Sequence, residues 1–340
     1  MVSPSHVVFN ASDRSYMALL KKDIHRLCVE NDFGEKSIAE IDIIVAEMTS
    51  NLIKHGGGGE ILAGISEDTR GEALELICID GGPGMQDSQK MLRDGVSSSL
   101  TLGHGLGAMQ RLSDVFQIYS LKDWGTVLLA RIYKREGEGP VILKPGQLET
   151  RAIVLCKPGE RVSGDGYCVR VDGENTYLFM GDGLGHGPEA HRAVMESINV
   201  FQTLSFSDPV DAIRSINVQI RKTRGLVISV GVFSALQKRW TLCGVGNIST
   251  RMYSSTEHKN YMPYNGIVGL NLPTTMHAVQ VEAEKNQILT MCSDGIRTRW
   301  DMIKYPGITK YDPSILAAAL YKDHGRGTDD MSVLVSRVNK

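Results

Sequence analysis

Glu47 and Asn51 stand four residues apart, among Ile38, Ile41, Ile44, Val45, Met48 and Leu52, which recur at helical spacing. Both polar groups therefore project from one face of a helix. A carboxylate and an amide so placed can activate a nucleophile and hold Mg²⁺ against phosphates. By itself such a pair is usually only a solvated helix face. Downstream, Ile79-Asp80-Gly81-Gly82-Pro83-Gly84 sets a lone carboxylate at a strand end before a turn with little side-chain bulk. Gly103-His104-Gly105-Leu106-Gly107 then runs into an apolar helix, so backbone N–H groups and a helix N-terminus can cradle phosphates.

The second half of the chain repeats a different device. Asp165 precedes a strand, and Asp182 follows one in Gly181-Asp182-Gly183-Leu184-Gly185-His186-Gly187. Asp294 sits in Ser293-Asp294-Gly295, and Asp329 and Asp330 lead into the last strand. A single Asp-Gly is commonly a turn. Carboxylates converging at strand ends repel one another unless cations neutralise them. Hard oxygen ligands select Mg²⁺ or Mn²⁺, and two such ions can share a hydroxide as nucleophile.

These residues need elements to hold them. A short strand at 7–9 is followed by helices expected over 12–31, capped by Ser12 or Asp13, and over 35–55. Strands at 61–66 and 74–80, a glycine-rich lid, a helix at 106–113 and a hairpin over 115–133 complete the first part. The polar stretch Ser97–Thr101 is expected in that lid, a segment able to order over a γ-phosphate. Lys134–Pro140 is charged and carries Gly and Pro, the composition of a linker. Beyond it, strands are expected at 151–156, 167–171, 176–180, 227–235, 239–245, 287–292 and 331–338, with helices at 188–204, 209–223 and 313–324. Helices and strands mix without strict alternation, which predicts an α+β fold.

Composition narrows the function. The chain has 340 residues, enough for about two domains, with 42% hydrophobic and 22% charged residues, as in an ordinary globular protein. The net charge of −2 argues against bulk electrostatic binding of nucleic acid. Up to Pro140 there are 14 basic and 20 acidic residues, and beyond it 23 and 19, so the second half is mildly basic, by chance or to suit a phosphorylated partner. No apolar run reaches the length of a membrane span, and the first residues lack a secretory pattern. Six scattered cysteines without a C-x-x-C pair read as buried thiols of a reducing compartment, so a cytoplasmic location is expected.

The order Glu-x-x-x-Asn helix, strand-Asp-x-Gly-x-Gly, lid and Gly-x-Gly-x-Gly helix resembles the GHKL ATP-binding family. Ala46–His55 and Gly103–Asp114 look most like its small serine/threonine kinases of the RsbT and RsbW type. The resemblance implies a two-layer α/β sandwich over 1–136 that binds ATP. Glu47 would be the general base, Asn51 the Mg²⁺ ligand and Asp80 the acceptor of the adenine amino group. Gly82, Gly84, Gly103, Gly105 and Gly107 would shape the nucleotide site, with Thr126 near adenine. Thr126 reads equally well as an ordinary hairpin threonine, and His55 as a partner of the helix C-terminus.

After a linker over 137–147, residues 148–340 resemble the metal-dependent type 2C phosphatases of the SpoIIE, RsbU and RsbX branch, a β-sandwich flanked by helices. Gly181–Gly187, Ser293-Asp294-Gly295 and Asp329-Asp330-Met331-Ser332 carry that resemblance in order. It implies that Asp182 bridges two metal ions, with Asp165 and the Gly183 carbonyl on one side and Asp294 and Asp329 on the other. Asp330 matches a position that is usually not a ligand, and His186 would contact phosphate, act as an acid or hold its loop. No counterpart is evident for the phosphate-binding arginine of the eukaryotic relatives. The combined expectation is a cytosolic signalling protein, kinase-like and phosphatase, acting on a phosphorylated regulator such as a STAS-domain antagonist. Three alternatives are a bifunctional enzyme whose kinase and phosphatase oppose each other on one serine, a phosphatase whose first domain only senses nucleotide, and a sequestering protein of the anti-sigma kind. The oligomeric state stays open.

Overall fold

The computed structural model describes residues 6–11, 14–68, 70–85, 102–134, 147–254 and 257–339. The lid stretch 97–101, the cap at Ser12 or Asp13 and nearly all of the linker expectation lie outside them. The chain forms two compact units, His6–Lys144 with Lys310–Ala318, and Pro145–Thr309 with Ala319–Lys340.

In the first unit, β1 (Val7–Asn10), β2 (Glu60–Asp68), β3 (Gly71–Asp80), β4 (Val115–Leu121) and β5 (Gly125–Tyr133) form one antiparallel sheet in the order β1-β2-β3-β5-β4. Alternation along β3 and β5 turns Leu74, Leu76, Cys78, Leu128, Ala130 and Ile132 toward the helices. There they meet Leu20, Ile24 and Cys28 of α1 (Arg14–Glu30), Ile41, Ile44 and Met48 of α2 (Glu35–Asn51), and Leu106 and Met109 of α3 (Leu102–Leu112). The first helix ends at Glu30, one residue before its expected end, and Gly34 N-caps α2. The second helix does not run unbroken to His55, because Leu52–Gly56 is a π-turn closed by Gly57 at φ 68°. Such a widened turn is a feature found frequently at functional sites.

The opposite side of the same sheet is not simply apolar. Glu75 of β3 and Arg131 of β5 are cross-strand partners, both buried. Arg131 binds Glu75 and, through Nη1, Asp312 Oδ2 at 2.8 Å. Ser314 Oγ donates to Glu75 Oε2 at 2.9 Å, and His6 Nε2 stands 3.4 Å from Glu75 Oε1. Asp312 and Ser314 come from Lys310–Ala318, 181 residues or more beyond Arg131 yet part of this unit.

The second unit contains two five-stranded antiparallel sheets. One has the order β13-β10-β9-β8-β7, from β7 (Asp165–Asp172), β8 (Asn175–Gly183), β9 (Leu226–Ser234), β10 (Arg239–Val245) and β13 (Val279–Glu282). The other has the order β12-β11-β14-β15-β6, from β6 (Leu148–Leu155), β11 (Ser249–Tyr253), β12 (His258–Tyr261), β14 (Ile288–Cys292) and β15 (Met331–Val338). Leu178, Met180, Trp240, Leu242, Met291 and Leu334 fill the space between the sheets. Helices α4 (Pro188–Thr203) and α5 (Pro209–Gln219) pack Val194, Ile198, Ile213 and Ile216 on the outer face of the first sheet. A last helix, α6, spans Pro313–His324. Helix α5 is shorter than expected because it ends at Gln219, where Thr223 and Gly225 turn the chain into β9. Strands β11, β12 and β13 were not expected from the sequence.

Candidate active sites

In the first unit a cavity of about 340 Å³ opens between α2 and the sheet. Asn51, Asp80, Gly84 and Thr126 all line it, with Met48, Leu52, Leu106 and Leu128 as its apolar wall. That volume and mostly apolar lining suit a heterocycle held by few polar groups. Asp80 ends β3 directly opposite Thr126 of β5. One of its carboxylate oxygens accepts from the Gly82 N–H at 2.9 Å, which fixes the turn at the cavity wall. Thr126 Oγ1 lies 3.0 Å from Ser120 Oγ, and Ser120 accepts from the Met85 N–H at 2.8 Å, so the threonine is held in a network.

Two glycines are required by their surroundings. A Cβ on Gly82 would come within 2.8 Å of the His55 carbonyl oxygen, and one on Gly84, at φ 69°, would collide with the Leu121 backbone. Glu47 lies on α2 one turn before Asn51, facing α3, where a Cβ on Gly105 would strike its carboxylate. Gly103 and Gly107 lie on α3 with Gly105. The structure thus gathers Asn51, Asp80, Gly84 and Thr126 around one cavity, with Gly82 in its turn and Glu47 at the α2–α3 crossing. Lys54, His55 and Cys78 also line the cavity and carried no signal of their own beyond His55's place at a helix end. Burial pushes the Cys78 thiol up, so it is an uncharged wall.

In the second unit Asp165 opens β7 and Asp182 lies near the end of β8, and the register makes them direct cross-strand partners. Asp294 follows β14, where Asn247 Nδ2 donates to its Oδ2 at 3.0 Å. Asp329 precedes β15 and accepts from the Asp330 N–H at 3.0 Å. Burial first, and then the neighbouring charges of Asp165, Asp294, Asp329 and Asp330, push the Asp182 carboxyl well above the usual range. Asp165 is pushed up by burial as well and raised further by Asp330 and Asp294, with the Ser293 and Ser332 side chains beside it. Asp165 Oδ2 and Ser332 Oγ are both buried without a hydrogen-bond partner.

Among the described residues no three His, Cys, Asp or Glu side chains are already closed around a common point. The carboxylates form an open cluster. An orphaned buried oxygen and carboxyls forced toward their neutral form are what hard divalent cations relieve, so these residues fit such a group.

Asp330 does something else. Its oxygens accept from the Lys157 N–H at 2.8 Å and the Gly164 N–H at 2.9 Å, pinning the loop that delivers Asp165. Gly183 N–H donates to the Gly164 carbonyl at 2.9 Å, and a Cβ on Gly183 would meet the Ala190 carbonyl at 2.5 Å. His186 Nδ1 lies 2.7 Å from Glu160 Oε1, half exposed, so its loop is tied to the 157–164 segment. Asn247, Ser293, Ser332 and Glu160 were missed by sequence reasoning. The two serines at least sit in or beside the aspartate motifs.

The histidine kinase-like ATPase domain family matches residues 9–132, and the stage II sporulation protein E (SpoIIE) family matches residues 172–339. The chain belongs to the proteins that join an RsbT-like ATPase domain to a SpoIIE-type 2C phosphatase domain. It is 35% identical over 101 residues to the serine/threonine-protein kinase RsbT of Bacillus subtilis (strain 168), covering 30% of this chain and 76% of that protein. It is 23% identical over 150 residues to the phosphoserine phosphatase RsbX of the same organism, covering 44% and 75%.

A chain solved in work on the bacterial stressosome, described as a modular system adapted to control secondary messenger signalling, has 26% identity and a TM-score of 0.54. It spans 56% of this chain and 100% of that one. The crystal structure of RsbX in complex with magnesium, at 20% identity and TM-score 0.52 over 58% of this chain and 98% of that one, shares the fold. The protein is thus of the partner-switching signalling type, with a phosphatase domain of a metal-using class and a kinase-like domain of an ATP-binding class. No described helix is long and apolar enough to cross a membrane.

Proposed function

We propose that residues 148–340 hydrolyse phosphoserine or phosphothreonine on a regulatory protein with two Mg²⁺ or Mn²⁺ ions, and that residues 1–136 bind ATP and phosphorylate a serine or threonine. The observation that carries the phosphatase reading is the mutually repelling cross-strand pair Asp165–Asp182, of which Asp165 is buried with an unpartnered oxygen. Asp182 and the Gly183 carbonyl, with Asp165, would hold one ion, and Asp182, Asp294 and Asp329 the other. When bound, such ions would neutralise these carboxylates, polarise the phosphoryl group and lower the pKa of water so that hydroxide is available as nucleophile. The chain's own part is to fix the donors. Asn247 orients Asp294, Asp330 pins the Asp165 loop and Glu160 restrains His186 beside the site.

In the kinase-like domain Asp80 would accept from the adenine amino group and Asn51 would hold Mg²⁺ against the phosphates. Glu47 would take the proton of the attacking hydroxyl. Retention of Glu47 supports transfer over mere nucleotide sensing, since binding alone needs no base. The similarity to RsbT and RsbX supports a stressosome-type phosphoprotein, of the STAS-domain antagonist kind, as substrate in the cytoplasm. The test follows a phosphoserine peptide with the full chain in Mn²⁺ and in excess EDTA. Release of phosphate only with metal is expected, and full activity in EDTA overturns the two-metal reading.

A further inference from the structure

A phosphatase site built from carboxylates has a difficulty that cations only partly solve, because the substrate brings a dianion to a cluster of negative groups. A guanidinium at the rim answers this with a fork that matches phosphate oxygens. The loop Gly183–Gly187, which starts at the second residue of the Asp182-Gly183 pair, has such a group laid against it. At Gly185, φ 87°, a Cβ would come within 3.0 Å of Arg224 Nη1. The Gly185 carbonyl in turn lies 3.5 Å from where a Cβ on Gly164 would stand, and Gly164 adjoins Asp165. The guanidinium thus lies against a loop that begins beside Asp182 and whose Gly185 approaches Gly164, the neighbour of Asp165.

The backbone aims this arginine. Thr223 Oγ1 donates to the Ile220 carbonyl at 2.7 Å and accepts from the Gly225 N–H at 3.1 Å, which stiffens the turn after α5. The Leu184 N–H donates to the Gly225 carbonyl at 3.1 Å, joining the turn to the Gly183–Gly187 loop. Arg192 Nη2 holds the Lys222 carbonyl at 3.1 Å from the side of α4, and Arg192 is already engaged with Glu189 and Glu196. Arg224 is exposed and, among the described residues, has no carboxylate partner. An exposed cation lying against the Gly183–Gly187 loop, with no carboxylate partner among the described residues, is available to an incoming anion.

We propose that Arg224 binds the phosphoryl group of the substrate, taking the place for which the sequence offered no arginine. This rests on the phosphatase reading. The guanidinium touches phosphate oxygens and not the metal ions, so it contributes to substrate and product binding and leaves metal affinity alone. Gly185 is its counterpart. Any side chain there would push the guanidinium off the loop, and the positive φ already disfavours one.

The experiment compares the full-length wild type, Arg224→Ala and Arg224→Lys in Mn²⁺. It measures hydrolysis of p-nitrophenyl phosphate and of a phosphoserine peptide, with binding of inorganic phosphate and of Mn²⁺ by calorimetry. For Arg224→Ala, kcat/KM on both substrates should fall roughly 10- to 100-fold, mostly through KM, as for loss of a charge-assisted hydrogen-bonded contact. Phosphate affinity should weaken by a similar factor while Mn²⁺ affinity stays unchanged. Arg224→Lys should recover part of the loss, having the charge without the fork. Unchanged KM and phosphate affinity in Arg224→Ala would overturn the proposal. So would a loss confined to the peptide, which would mean the arginine docks polypeptide, or a parallel loss of Mn²⁺ affinity. A wild type that hydrolyses neither substrate would sink the phosphatase reading, while the phosphate calorimetry still decides the arginine.

Discussion

Asp182 is in conflict with its fold in the absence of cations. Its carboxyl is pushed up by burial and by the surrounding aspartates, so the folded chain holds a proton that the unfolded chain releases near the ordinary carboxylate value of about 4. A raised acid of this kind takes stability away as pH rises from that value toward the folded one. Asp182→Asn should therefore raise the melting temperature of the second unit in EDTA at pH 7, by roughly 2–8 °C for a gain of about 1–2 kcal/mol. The same change should abolish phosphate release and shrink the stabilisation given by Mn²⁺. Calorimetric melts with and without metal check both signs, and a melting temperature lowered in EDTA would contradict the repulsion argument. Asp330 is the control. It accepts two backbone N–H groups, so Asp330→Ala should destabilise by about 2–4 kcal/mol in urea titrations.

At the scale of elements, α3 sets its glycines against its own stability. Gly105 occurs inside a helix, where alanine would be favoured by about 1 kcal/mol. It is glycine because α2 brings the Glu47 carboxylate against that position. Gly105→Ala should leave the melting temperature of the first unit unchanged or higher, yet displace Glu47 and cut any phosphoryl transfer at least 10-fold. Circular dichroism melts beside a radiolabelled transfer assay separate the two effects.

The same element shows what could be read in advance. The apolar period of α2 and the glycine spacing of α3 are local, and both helices were legible, although α3 starts at Leu102, before the expected 106, so its glycines lie inside the helix and not in a loop ahead of it. Strands β11, β12 and β13 were not. His258–Tyr261 and Val279–Glu282 are largely exposed edge strands with no apolar alternation, and their identity comes from pairing to β11 and β10. Arg224 was equally silent, since nothing in Arg-Lys-Thr-Arg says which loop lies beneath it.

Across the whole molecule, the buried ions of the first unit are the strongest long-range commitment described. Burial would raise Glu75, but Arg131, with His6, overcomes it and holds the carboxyl down at about 2. A depressed acid contributes its stability above the unfolded value of about 4.5 and loses it as pH falls from there toward 2. Thermal unfolding of the first unit should weaken steeply over that window, and more gently in Glu75→Gln. Asp312→Ala, which leaves Arg131 with Glu75 as its one carboxylate partner, should cost about 3–5 kcal/mol in chemical unfolding. No period or motif could have announced this pairing, because its members are ordinary residues far apart in the chain.

That separation also has a meaning in time. A ribosome adding roughly 5–20 residues per second delivers Asp312 on the order of 10–40 s after Arg131. Through that interval the sheet of the first unit exists with its arginine short of one carboxylate and one hydroxyl. The nucleotide-binding unit is thus begun before the phosphatase unit and finished only after most of it, and a nascent chain released in between would carry an ATPase fold that had never been locked.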